Sequence, residues 1–74
     1  MQKWEYTILR ATSTDFGLVL TYINDEYVAK TKGFKIEGQS LVEHLAQMGK
    51  DGWEVVGMAA EGTSIKFILK RPFE

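Results

Sequence analysis

Cysteine is absent from the chain, proline occurs once and histidine once, and neither sign of charge is in excess. Without cysteine there is no disulfide framework, no thiol nucleophile and almost no route to a structural zinc site. Apolar runs such as Val55-Val56-Gly57-Met58-Ala59-Ala60 fall far short of the ~18 residues a membrane span needs, and Met1-Gln2-Lys3-Trp4-Glu5 lacks the apolar stretch of a signal peptide. The expected compartment is therefore the cytoplasm, with no membrane partner. Nine Lys and Arg against ten Asp and Glu leave a formal net charge of −1, which argues against nucleic-acid binding driven by bulk charge. What is present is ample apolar material: 45% of the 74 residues are hydrophobic and 12% aromatic, too much for a chain disordered by composition. Residues 1–74 read as a single small domain.

Size itself is informative. A chain of this length buries about 60% of its unfolded surface, and one small core supplies only ~3–5 kcal/mol. With no disulfide or metal to reinforce it, self-association as a homo-oligomer is expected.

Lys3 to Ala11 alternates, with Trp4, Tyr6 and Ile8 on one side and Glu5, Thr7 and Leu9 on the other, the period of a strand. Thr12-Ser13-Thr14-Asp15 reads as a loop, because small polar side chains compete with the backbone for hydrogen bonds. A second strand is expected from Phe16 to Ile23. Asn24-Asp25 then suits a two-residue hairpin turn, since both residue types tolerate the left-handed conformation; Tyr22 would face Tyr27, and Ile23 Glu26. The return strand runs from Glu26 to about Thr31, and Phe34 to Gly38 is a connector with Phe34 and Ile36 folded down as anchors.

Ser40-Leu41-Val42-Glu43 has the form of a capping box and opens a helix. Leu41, Leu45 and Met48 recur at helical spacing, with Val42 and Ala46 widening the apolar stripe. The helix stops near Lys50-Asp51-Gly52, where glycine adopts the left-handed conformation without a Cβ penalty. Gly49, inside the last turn, is expected to permit close contact with the sheet or to share in the stop signal. Trp53 to Ala60 and Thr63 to Arg71 form a hairpin around Glu61-Gly62, with Val56 opposite Phe67 and Met58 opposite Ile65. That register places Val56, Met58, Ile65, Phe67 and Leu69 under the helix. Trp53, Val55, Lys66, Ile68 and Lys70 lie on the opposite face, joined there by Leu9 or Val19. Pro72 ends the last strand for want of a donor. The expected fold is α+β: a single antiparallel sheet in β-β-β-α-β-β order with one helix packed on one face. One helix of about ten residues cannot cover five strands, so a second copy is expected over the other face or along an edge.

Lys3-Trp4-Glu5-Tyr6, the segment Leu45-Ala46-Gln47-Met48-Gly49-Lys50-Asp51-Gly52-Trp53-Glu54-Val55-Val56 and the closing Phe67-Ile68-Leu69-Lys70-Arg71-Pro72 together resemble the small bacterial family called domain of unknown function 4177. Its pattern is roughly a K-[WY]-E-Y opening, a helix leading into L-G-x-x-G-W-E-L-V, and a last strand ending in K-R-P. Met48 and Val55 stand here where leucine is usual, and the hairpin from Phe16 to Thr31 is longer than in the shortest members. The resemblance covers both ends of the chain. It implies an α+β fold and a bacterial or phage cytoplasmic origin, and it carries no activity, cofactor or active site.

No residue set assembles a catalytic constellation. His44 has Ser40 and Gln47 as helical neighbours, neither a metal ligand nor a base partner. Glu5, Glu37, Glu54 and Glu61 are scattered singly and read as surface ion-pair partners. The glycines at 49, 52, 57 and 62 match neither phosphate-binding fingerprint. No catalytic residue, metal ligand or cofactor is therefore assigned.

Binding chemistry has more to work with. Tyr22, Tyr27, Trp53 and Arg71 could line a pocket for a small anionic ligand or nucleotide at a subunit interface. Lys66, Lys70 and Arg71 on the last strand, with Trp4, Tyr6, Trp53 and Phe67, could instead bind single-stranded nucleic acid. Core packing and solubilising lysines account for the same residues more simply. The reading is thus a noncatalytic, self-associating interaction or regulatory module, with the anionic-ligand site second and nucleic acid third.

Overall fold

The computed structural model describes residues 2–15, 17–32 and 35–73. Strands β1 (Lys3–Thr14), β2 (Gly17–Ile23), β3 (Glu26–Tyr27), β4 (Lys30–Lys32) and β5 (Lys35–Glu37) precede helix α1 (Leu41–Lys50), and β6 (Glu54–Glu61) and β7 (Ser64–Phe73) follow it. Five strands form one antiparallel sheet in the order β3-β2-β1-β7-β6, and β4 and β5 pair separately. The α+β class and the five-stranded antiparallel sheet are as the sequence predicts. No described helix is long and apolar enough to cross a membrane.

Local chemistry explains the turns. Asn24 and Asp25 both have positive φ, 49° and 70°, and Tyr22 pairs with Tyr27 and Ile23 with Glu26 as expected. Asn24 does more than turn the chain. Its Oδ1 accepts from the Ile8 backbone N–H at 2.9 Å and from the Thr7 hydroxyl at 3.3 Å, and its own N–H donates to the Ile8 carbonyl. The hairpin tip is thereby fastened to the middle of β1. At the helix end, Gly52 has φ +90°. Its N–H donates to the Gly49 carbonyl at 3.1 Å and that of Trp53 to the Met48 carbonyl at 3.0 Å, the paired bonds of a Schellman motif.

Several local expectations are corrected. Thr12, Ser13 and Thr14 are strand, paired with Val19, Leu18 and Gly17; cross-strand pairing outweighs their turn tendency, and threonine suits a pleated surface. The return strand breaks after Tyr27, because Val28 N–H turns back to the Thr21 carbonyl at 2.8 Å and Lys30–Lys32 pairs with Lys35–Glu37 instead. The expected connector from Phe34 to Gly38 thus contains β5. Phe16, Phe34 and the side chain of Ile36 lie outside the described residues.

Ser40 makes no side-chain cap bond. It bridges to Val19, which takes its backbone into the sheet margin, and the capping box does not form. Val42 and Ala46 are exposed, so the helical stripe is only Leu41, Leu45 and Met48. A Cβ at Gly49 would meet nothing within 4 Å, so Gly49 makes no close sheet contact and acts through its carbonyl in the stop. The last hairpin turns on Gly62-Thr63, with Glu61 opposite Ser64, Ala60 opposite Ile65 and Met58 opposite Phe67. A bulge between Val55 and Gly57 then sets Val55 opposite Leu69, exchanging the faces expected for Val55 and Val56. Pro72 does not end β7, which continues to Phe73. It pairs with Trp4 beyond the reach of β6, where a missing donor is tolerated.

The core is built on one face. Leu9, Ala11, Leu20, Leu41, Phe67 and Leu69 form a buried cluster, with Leu45, Met48, Trp53 and Ile65 packed against it. Of the two residues expected on the opposite face, Leu9 instead joins the core cluster, whereas Val19 stands opposite Thr12, one step out of the Ala11–Leu20 row, and is buried there. Thr21 is also buried, being the extra residue of a bulge where pairing steps from Arg10–Tyr22 to Ala11–Leu20. Its hydroxyl is satisfied by donating to the Arg10 carbonyl at 3.0 Å.

Candidate functional site

The expected site residues fall into two groups on opposite sides of the sheet. Trp53 and Arg71 stay with the core side. Arg71 stands opposite Glu5 in the ladder and its Nε donates to the Glu5 carboxylate. Nη1 donates to the Asp51 carbonyl at 3.2 Å, and the guanidinium lies 4.6 Å from the Trp53 ring centre. One side chain thus ties β1, β7 and the helix C-terminus, where a cation also suits the helix dipole. These contacts are internal to the fold, and Trp53 packs on the core.

The other group occupies the face turned away from the core, where strand alternation delivers whole rows of side chains. Trp4 pairs with Pro72, Tyr6 with Lys70, Ile8 with Ile68 and Arg10 with Lys66 across β1 and β7. Tyr22 extends the Arg10 row on β2 and Ala59 extends it on β6, while Glu54 extends the Lys70 row. Lys70 Nζ sits 4.1 Å from the Trp4 ring centre and 3.8 Å from the Glu54 carboxylate. The Arg10 guanidinium lies 5.3 Å from the Tyr22 ring centre, and Tyr22 meets Tyr27 edge to face at 5.2 Å. Arg10 and Lys70 are laid along aromatic rings and Lys66 stands beside Arg10, so the centre of the face is left to Ile8 and Ile68. Trp4, Tyr6, Ile8 and Ile68 are all exposed.

A shallow depression on this face is lined by Arg10, Ala59, Glu61, Ser64 and Lys66. Two cations and a hydroxyl offer an anion its usual partners, with the Glu61 carboxylate opposing. Phe67, considered as an aromatic platform, is buried on the core side. Arg71 is likewise on the core face, so the structure brings Lys66, Lys70, Tyr22 and Tyr27 to one side and Trp53 with Arg71 to the other.

The two glutamates that could have formed an acid–base pair are separated. Glu5 pairs with Arg71 and Glu54 with Lys70, with β7 between their strands. His44 Nδ1 lies 3.1 Å from Gln39 Oε1, and Gln39 Nε2 donates to Gln47 Oε1. Gln39 rather than Ser40 is therefore the imidazole's partner. No group of three or more acidic or histidine side chains placed to hold a metal occurs among the described residues.

Arg10 is the member of this face that the sequence reading missed. Continuing the alternation Trp4, Tyr6, Ile8 by one step reaches it. No family model, no curated protein and no solved structure matches the chain.

Proposed function

We propose that this chain is a noncatalytic interaction module that works by self-association, in the cytoplasm, and that it is a relative of the domain of unknown function 4177 family. One observation carries the reading. The folded chain exposes 5524 Å², whereas a compact monomer of 8.4 kDa exposes about 4600 Å² by the usual scaling of surface with mass. The surplus, on the order of 900 Å², is close to the ~800 Å² that each partner contributes to a stable interface. Its source is a single sheet layer with core on one side, in a molecule measuring 48 × 22 × 18 Å. Sedimentation velocity over a wide concentration range tests it: a reversible rise to dimer mass is expected, and a monomer at every concentration refutes it.

A second reading rests on the depression beside Arg10, Lys66 and Ser64, which would take a small anionic ligand. A nucleotide bound there would stabilise the fold by about 2.7 kcal/mol at a hundred times its dissociation constant, rising with the logarithm of its concentration. Equal effects of phosphate, sulfate and nucleotides at the same concentration would dismiss it.

A further inference from the structure

The question left by self-association is which surface carries it, and two are open. The free side of β6 has no strand partner among the described residues, and next to it lie the exposed Val56 of the bulge and the exposed Val55 and Met58, in the Leu69 and Phe67 rows. The outer face of β1 and β7 displays Trp4, Tyr6, Ile8 and Ile68.

The edge is guarded against a twin. Val56 is bulged out of the ladder, and bulges discourage strand addition. Full antiparallel pairing of β6 with a second β6 also sets Glu54 of one copy against Glu61 of the other at both ends, a like-charge pairing that destabilises a ladder.

The outer face has no bulge between β1 and β7, and its like-charged row, Arg10 with Lys66, lies to one side of the Ile8–Ile68 centre. We infer that a second copy of this chain docks on the outer face, sheet against sheet, with Ile8 and Ile68 at the centre of the contact; this rests on the self-association reading. Three features fit. The surplus surface matches what one side of a standard interface buries. The charges of Lys70 and Arg10 lie over Trp4 and Tyr22, so their aliphatic stems join the apolar surface while their heads reach its margin. The apolar centre of the ladder is also self-complementary. A twofold axis along the strands, between β1 and β7, lays Ile8 over the second copy's Ile68, with Tyr6 over its Lys70 on one side of that centre and Arg10 over its Lys66 on the other. Two such layers at the ~10 Å spacing of packed sheets make a β-sandwich.

The discriminating experiment is sedimentation velocity on the full chain and three variants, with circular dichroism on each. Ile8→Glu and Tyr6→Ser alter side chains that are 42% and 61% exposed, so both variants are expected to fold. Ile8→Glu buries an unpaired carboxylate in the proposed contact and weakens the dimer by roughly a hundredfold or more, while Tyr6→Ser weakens it by about tenfold. Met58→Lys, on the β6 edge, leaves the dimer unchanged. A dimer that survives both Ile8→Glu and Tyr6→Ser but dissociates on Met58→Lys overturns the face and assigns the edge. A wild-type monomer overturns the self-association reading itself. If that monomer binds a single-stranded oligonucleotide, with Trp4 quenched in a Trp53→Phe background, the outer face serves nucleic acid and not a twin.

Discussion

Leu69 and Ile68 are adjacent on β7, yet one is 1% exposed and the other 39%. The difference is only which way the pleat turns them, and it separates two surfaces of opposite character. On Leu69's side Leu41 joins the buried cluster with Leu45 and Met48 against it, while Val55 and Met58 at the β6 margin stay exposed; on Ile68's side aromatic and basic residues stand open. The two sheet edges repeat the contrast. The β2 edge is closed by β3 and by the Gln39 carbonyl, which accepts from the Leu20 N–H at 2.9 Å, whereas the β6 edge is bare among the described residues and protected by a bulge and two glutamates. Stability is concentrated on the buried cluster and the closed edge.

Five substitutions sharpen or break that contrast. Leu69→Ala should cost about 2–5 kcal/mol in urea unfolding, as a buried leucine does. Ile68→Ala, measured where the chain is monomeric, should cost well under half as much; equal losses would erase the distinction between the faces. Gly38→Ala comes next. A Cβ there would lie 2.9 Å from Val19 Cγ1 and 3.2 Å from the Leu20 carbonyl, so roughly 1–3 kcal/mol should be lost as the closed edge is pushed apart. Gly52→Ala should lose about 1 kcal/mol, because the residue is held at positive φ. An unchanged melting temperature would remove the Schellman assignment. The smallest effect has the opposite sign: Gly49→Ala, on an exposed helical turn with open space around the new methyl, should gain about 0.5–1 kcal/mol.

Much of the fold is legible in the residues. Alternation from Trp4 to Leu9, the Asn24-Asp25 turn, the spacing of Leu41, Leu45 and Met48, and Gly52 at the helix stop are all local signals, each enforced by the backbone geometry of its own few residues. Expectations that depend on a distant partner are the ones overturned. Thr12–Thr14 became strand because β2 lay alongside to pair with it. Ser40 left its capping role because Val19 offered its backbone a bridge. Val55 and Val56 changed places because one bulged residue inverts the facing of everything beyond it.

The candidate surface shows the same division. Alternation alone groups Trp4, Tyr6 and Ile8, and by one further step Arg10, since neighbours on one strand need only the pleat. It could not say whether that group faced the core or solvent, and the larger, more apolar side of β1 proved to be the exposed one. Nor could it separate Lys66 and Lys70 from Trp53 and Arg71. The periodicity of a strand depends on its own backbone, but which of its faces is buried depends on where the helix comes to rest. That was decided by packing: Leu41, Leu45 and Met48 settled against Leu9, Phe67 and Leu69, leaving Ile8 and Ile68 open on the other side.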